Sequence, residues 1–217
     1  TWLRRQRQMC IRDRFEAIEK DNGVRGDTTA EKIAHLKPAF DKKAGTITAG
    51  NASFLTDGAS AILIMSEDKA KELGLTPKAT IVDYTFSGAD LYDELLLGPT
   101  YAISKVLKKN NLELSDMDVI EFHEAFAGQI MANVKCLASD EFAKEKLGRD
   151  KAVGQIDMDK LNQWGGSLAI GHPFGATGAR ITTTAANRLN EVNGKYALIT
   201  ACAAGAHGVA MIIERYK

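Results

Sequence analysis

The chain has 217 residues, 45% of them hydrophobic, enough for one large domain or two small ones around a real core. Lysine plus arginine and aspartate plus glutamate each total 28, so net charge gives no argument for nucleic acid or a membrane surface. The apolar runs are broken by charge well short of the roughly 20 residues that span a bilayer, and three cysteines without paired spacing exclude a disulfide framework and a zinc site.

Residues 1–14, TWLRRQRQMCIRDR, carry dense arginine and no lasting period. They resemble the translation of a sequencing-library adapter more closely than a basic arm or an Arg-rich targeting presequence. They are therefore read as a non-native arm that includes Cys10, with native sequence beginning near Phe15 as the C-terminal portion of something longer. Thr28 to Leu36 predicts a short helix capped by Thr28 or Thr29, with Glu31 in its first turn and His35 solvated. TITAG from Thr46 alternates like a strand, NASFLTDGAS is a small-residue loop, and AILIMSE from Ala61 suits a strand buried on both faces. Ser66 caps a helix that Gly74 ends, and ATIVDYTFSG from Ala79 is a further strand.

Pro99 opens a helix with Tyr101, Ile103, Val106 and Leu107 on one face, ending near Asn110. DVIEF from Asp118 is a strand. HEAFAGQIMANVKCLAS predicts a helix starting at His123 and Glu124, with Phe126, Ile130, Val134 and Leu137 as its apolar stripe. The charged run from Phe142 to Lys151 reads as an exposed connector. A Gly-His-Pro turn then leads into a helix through Leu189. Two closing strands, KYALITAC and GVAMIIERY, flank a loop that carries Cys202. The segments from Thr46 and from Leu198 share a strand, small-residue loop, strand plan, and the alternation of strands and helices argues for α/β layers.

The stretch GGSLAIGHPFGATGAR from Gly165 places His172 among five glycines and a proline. Glycine permits positive φ and a close backbone approach to a ligand, more permissiveness than a core histidine requires. On spacing alone a turn histidine is the commoner outcome, and Cys202 alone reads as a small buried hydrophobe. Taken together, a histidine and a cysteine in small-residue turns point to acyl chemistry on a thioester. The Gly-rich turn lacks the Gly-Lys-Ser/Thr ending of a phosphate loop, which makes a nucleotide-binding module a poor second.

GNAS at Gly50, HEAFA at His123, GGSLAIGHPFGATGAR at Gly165 and CAAGAHG at Cys202, in that order and spacing, resemble the thiolase family. HEAF, CAAG and LLLGP at Leu95–Pro99 are most similar to the β subunits of fatty-acid oxidation trifunctional complexes. The resemblance implies a layered α/β thiolase fold built by duplication. Residues 15–43 would be the tail of the loop domain, 44–76 the end of the N-terminal domain and 77–217 the C-terminal domain. It implies 3-ketoacyl-CoA thiolase chemistry with CoA as co-substrate, no metal, and medium-to-long acyl substrates. Implied too are a homodimer, a hydratase/dehydrogenase α-subunit partner, and a mitochondrial matrix or bacterial cytoplasmic location.

By the same resemblance, His172 activates the acyl-accepting cysteine and donates in an oxyanion hole. Cys202 protonates the departing enolate and then deprotonates CoA. His123, where many thiolases have Asn, joins His172 in the oxyanion hole, and backbone N–H groups around Ala204 form part of the other. Ser53, Leu95, Ala125 and Phe126 would line the pantetheine tunnel. Neither Cys136, mid-helix, nor Cys10 suits the acyl-accepting role, so the chain as given is expected to be inactive; His207 receives no role. The alternatives are a thiolase-fold lipid or acyl-CoA carrier without catalysis, and a biosynthetic acetoacetyl-CoA thiolase, which HEAF in place of NEAF disfavours.

Overall fold

The computed structural model describes Asp21 and residues 23–217; the arm 1–14 lies outside the described residues. The described residues divide into two units, those up to Ala34 and those from His35 to Lys217. In the first, helix α1 (Ala30–Ala34) carries Glu31 in its first turn, and Thr29 Oγ1 accepts from Lys32 N at 3.3 Å, the cap expected there.

In the second unit, Ser66 caps helix α2 (Glu67–Glu72) by accepting from Lys69 N, and Gly74 follows at φ 64°. Strand β1 (Ala79–Gly88) leads to helix α3 (Gly98–Asn110), which stops where Asn111 turns left-handed at φ 53°. A short 3-10 turn precedes strand β2 (Met117–Phe122), followed by helices α4 (Ala127–Leu137), α5 (Asp140–Lys146), α6 (Ser167–Ile170) and α7 (Thr177–Glu191). Strands β3 (Tyr196–Ala203) and β4 (His207–Arg215) close the chain. The four strands form one mixed sheet in the order β1-β4-β3-β2, with β2 and β3 parallel and the other two pairs antiparallel.

Helices cover both faces of this sheet because successive strand residues point to opposite sides. On one face, Ala102, Ile103, Val106 and Leu107 of α3 and Ile130 and Leu137 of α4 pack with Ile120, Phe122, Leu198, Ala210 and Ile212. On the other, Ile181, Ala185 and Leu189 of α7 pack with Val119, Ala197, Ile199 and Ile213. Between the layers a buried ion pair joins Arg188 Nη1 of α7 to Glu121 Oε1 of β2 at 2.5 Å. The Arg188 guanidinium also donates to Lys160 O at 3.1 Å. Those bonds satisfy charges that would otherwise be costly to bury.

Several local expectations are corrected. AILIMSE is not a buried strand: it is irregular, with Leu63 77% and Ile64 68% exposed. No strand among the described residues pairs with it, and an extended apolar run is held in a sheet only by neighbours on its edges. TITAG makes only an isolated bridge, Thr48 to Pro38, so of the two repeat-like segments only the second forms a hairpin. The predicted helix at His123 begins four residues later. His123–Phe126 is extended or turning instead, with Ala52 bridged to Phe126. The first half of the charged connector belongs to α5, because Ser139 Oγ caps Phe142 N at 3.1 Å and Ala143 is fully buried. Cys202 lies in β3 opposite Gly208 rather than in the loop, which is confined to residues 204–206.

Candidate active site

Three chain segments converge at the C-terminal ends of the parallel strands β2 and β3. The first is the HEAF turn after β2, whose entry is shaped by Asn162. Held at φ 45°, Asn162 accepts from Phe122 N at 2.8 Å and donates to Phe122 O at 2.9 Å. Its side chain thus mimics one more sheet partner and stops the strand. Asn162 Nδ2 also donates to Glu124 Oε1 at 2.6 Å, while Glu124 Oε2 accepts from Leu168 N at 3.0 Å. Glu124 therefore ties the HEAF turn to α6. Gly166 is needed there, because a Cβ would fall 2.2 Å from Glu124 Oε2.

The second segment is the Gly-His-Pro turn. Gly171 sits at φ 86°, and a Cβ on it would meet Thr56 at 2.2 Å; glycine satisfies both demands. The third is the β3–β4 hairpin, whose loop bends through Gly205 at φ 83° and Ala206 at φ 59°. Residues 51–60 stitch the first two segments together. Ser53 N donates to Ala125 O at 2.9 Å, Ala127 N to Asn51 O at 2.9 Å, and His172 N to Phe54 O at 2.9 Å. Ser60 Oγ donates to Ala176 O at 2.6 Å.

The result is a cavity of about 270 Å³ lined by Ser53, Phe54, Leu55, Leu96, His123, Ala125, Phe126, His172, Phe174 and the Cys202–Ala204 run. The His123 and His172 rings lie 4.0 Å apart between centroids, and the Phe174 ring stands 4.8 Å from that of His172. His123 Nδ1 is 2.8 Å from Ser167 Oγ, and His172 Nδ1 is 2.7 Å from Thr177 Oγ1. Arg180 links the support of His123 to the turn that carries His172. Its Nη1 donates to Gly171 O at 2.7 Å and its Nη2 to Ser167 Oγ at 2.9 Å.

Burial governs the site's electrostatics. It lowers the His123 pKa to about 4, with the neighbouring His172 and Arg180 acting in the same direction. His172 is lowered too, by burial and then by Arg180. Both imidazoles are therefore neutral at neutral pH. Burial pushes the Cys202 thiol up to about 11 against a smaller opposing backbone hydrogen bond.

Of the residues singled out in the sequence, Ser53, His123, Ala125, Phe126, His172, Cys202 and Ala204 all line the one cavity. The Ala204 N–H has no hydrogen-bond partner among the described residues. Leu95 does not line it and is 46% exposed; Leu96 takes that place. Cys136 lies in a separate shallow recess with Lys135, Ser139 and Phe142. Among the described residues no group of His, Cys, Asp and Glu is gathered to hold a metal. Sequence reasoning missed Ser167 and Thr177, which bond the histidine rings, Arg180, which bonds Ser167 and Gly171, and Glu124 and Asn162, which fix the HEAF turn. Glu124, Ser167, Thr177 and Arg180 stand inside the quoted motifs, but nothing in their order told a supporting residue from a filler.

Comparison with known proteins gives two family matches: "Thiolase, C-terminal domain" over residues 75–215 and "Thiolase, N-terminal domain" over residues 8–68. The chain is 56% identical over 201 residues to the mitochondrial trifunctional enzyme subunit beta of Rattus norvegicus, covering 93% of this chain and 42% of that one. It is 56% identical over 198 residues to a 3-ketoacyl-CoA thiolase of Alteromonas mediterranea, covering 91% and 45% respectively. The fold matches a crystal structure of human mitochondrial 3-ketoacyl-CoA thiolase in complex with CoA. That match has a TM-score of 0.74 and 39% identity, over 92% of this chain and 46% of that one. The chain thus spans less than half the length of these relatives.

Proposed function

Because the chain belongs to the thiolase family, we propose that the whole protein is a 3-ketoacyl-CoA thiolase of fatty-acid β-oxidation. It cleaves 3-ketoacyl-CoA with CoA to acetyl-CoA and an acyl-CoA two carbons shorter. The observation that carries this reading is the convergence of His123, His172 and Cys202 on one cavity.

The residues suit the chemistry in order. A cysteine thiol from the part of the whole protein that lies outside these 217 residues gives its proton to neutral His172 and attacks the ketone carbon. His172, with Nδ1 given to Thr177 and the Thr177 hydroxyl given to Pro173 O at 3.2 Å, offers its Nε2 lone pair as the base. The tetrahedral oxyanion collapses, the carbon–carbon bond breaks, and its electron pair leaves as the acetyl-CoA enolate. Cys202, kept protonated by burial, donates its proton to the enolate carbon. The resulting buried thiolate is a strong base and takes the proton of the incoming CoA thiol. CoA sulfur then attacks the acyl-enzyme thioester, and the cysteine leaves with the proton held by His172. Donors toward the developing oxyanions are His123 and the Ala204 amide.

The apolar lining from Ser53, Ala125 and Phe126 fits the pantetheine arm of CoA, the ligand named for the human structure. No metal enters this reading. The same reading gives the protein a hydratase/dehydrogenase α-subunit partner, in line with the trifunctional relative, and a homodimeric state. It places the protein in the mitochondrial matrix or the bacterial cytoplasm, in line with the rat and Alteromonas relatives.

The test is CoA-dependent loss of 3-ketoacyl-CoA by the full-length protein. Thiolysis is expected, with His172→Asn and Cys202→Ser each lowering kcat by on the order of 10³ or more, and with no turnover from residues 1–217 alone. Acyl-CoA binding without any cleavage by the full-length protein would replace this reading with the carrier.

A further inference from the structure

The cavity side of the His123–His172 pair has been assigned to chemistry, but the hydrogen bonds behind it carry more information. Ser167 is fully buried. Its single hydroxyl has two partners among the described residues, the Arg180 guanidinium at 2.9 Å and His123 Nδ1 at 2.8 Å. A guanidinium only donates, so Ser167 Oγ accepts from Arg180. That leaves the Ser167 proton, and His123 Nδ1 is the one remaining acceptor within reach. Were Nδ1 to carry a proton instead, Ser167 Oγ would accept it on its second lone pair and the hydroxyl would have to turn its own hydrogen where no acceptor stands. The buried serine hydrogen would then be unspent, a cost a native interior avoids.

We infer that Ser167 and Arg180 are positioning residues that lock His123 as its Nε2–H tautomer, making it a hydrogen-bond donor to the thioester oxygen of a substrate in the cavity. The inference deepens the thiolase reading and rests on it for the identity of that oxygen. An Nε2–H ring presents a donor where the other tautomer would present a lone pair that repels an oxyanion. The same guanidinium, through Nη1 to Gly171 O, holds the backbone one residue before His172. Arg180 thereby fixes the donor histidine and the base histidine relative to each other from a single planar fork. The two rings, 4.0 Å apart, then do different work: His123 donates while His172 accepts. The low proton affinity of buried His123, reinforced by Arg180 and His172, keeps the ring neutral, so its tautomer decides its role.

Neutron diffraction on crystals of the full-length protein at near-neutral pD reads the tautomer directly. Deuterium is expected on His123 Nε2 and absent from Nδ1, with the Ser167 deuteroxyl aimed at Nδ1. Deuterium on Nδ1 overturns the inference, and no substitution is needed to see it. Ser167→Ala in the full-length protein is expected to lower kcat for thiolysis about tenfold to a hundredfold, because an orienting partner acts through the group it holds. KM should stay within about twofold, since the interaction strengthens as the oxyanion forms. An unchanged kcat would also overturn the positioning role. If Ser167→Ala fails to fold, the deuterium position in the unsubstituted protein decides alone. If the unsubstituted protein shows no thiolysis, the thiolase reading fails while the deuterium position still decides the tautomer.

Discussion

Burial acts on His123 and Cys202 toward one end, keeping each uncharged, although it lowers one pKa and raises the other. Deep in a cavity, that leaves a neutral hydrogen-bond donor beside a thiol that still holds its proton, a pairing suited to developing negative charge. His123 also makes the fold sensitive to acid. Its folded pKa of about 4 lies below the unfolded reference of 6.5, so between those values the unfolded chain binds a proton that the folded chain refuses. The stabilising difference is complete above pH 6.5 and is lost as pH falls toward 4, amounting to about 3 kcal/mol at most. His172, lowered in the same direction, adds to the trend. Urea midpoints measured across this window should fall with acid in the parent protein and fall less steeply in His123→Asn. Parallel slopes in the two proteins would sink the assignment.

At the scale of elements, the site depends on how closely α3 approaches the β3–β4 hairpin. A Cβ on Gly208 would lie 2.0 Å from the Gly98 carbonyl carbon, and one on Gly98 would meet His207 and Gly208 backbone at 2.5 to 2.6 Å. Both contacts are backbone on backbone, so no side-chain rotation relieves them. The cavity-lining Leu96 lies just before α3, Cys202 sits opposite Gly208, and Ser87 Oγ of β1 donates to Gly98 O at 2.7 Å. Gly208→Ala must therefore push α3 away from the hairpin. We expect a loss of about 1–3 kcal/mol in unfolding free energy, the usual range for overpacking, and, on the thiolase reading proposed above, acyl-CoA affinity falling alongside it. A Gly208→Ala protein with parental stability and affinity would show that the approach is not required.

For the molecule as a whole, the exposed apolar surface is the informative feature. Leu63, Ile64, Tyr84 and Phe86 are more than half exposed, and β1 is an edge strand. Open edges and clustered apolar side chains promote association. Residues 1–217 expressed alone should sediment as a concentration-dependent mixture and bind a hydrophobic dye. Leu63→Lys with Ile64→Lys should shift that mixture toward monomer. A parental chain that sediments as one monodisperse, cooperatively melting monomer would refute this.

How much of this was legible in the linear chain follows from the range of the forces involved. Local rules placed β1, α3, β2, α7, β3 and β4 nearly to their ends, because apolar period, Pro99 at a helix start, and glycine or asparagine at helix ends act within a few residues. The motif residues His172 and Cys202 stood out for the same reason, each in an unusual run of small residues, whereas His123 stood out only through the HEAF resemblance. The isolated apolar run at Ala61–Met65 misled, since a strand exists only with a partner and sequence does not say who the partner is. The HEAF turn misled as well, because the side chain of Asn162, 39 positions beyond His123, ends β2 in a way that no neighbouring residue announces. Composition and order thus determined the layers and the candidate site's side chains. Tertiary structure alone decided that two histidines face each other at 4.0 Å, with Arg180 and Ser167 behind them. Hydrogen-bond direction depends on groups brought together from distant positions, and only the folded chain assembles them.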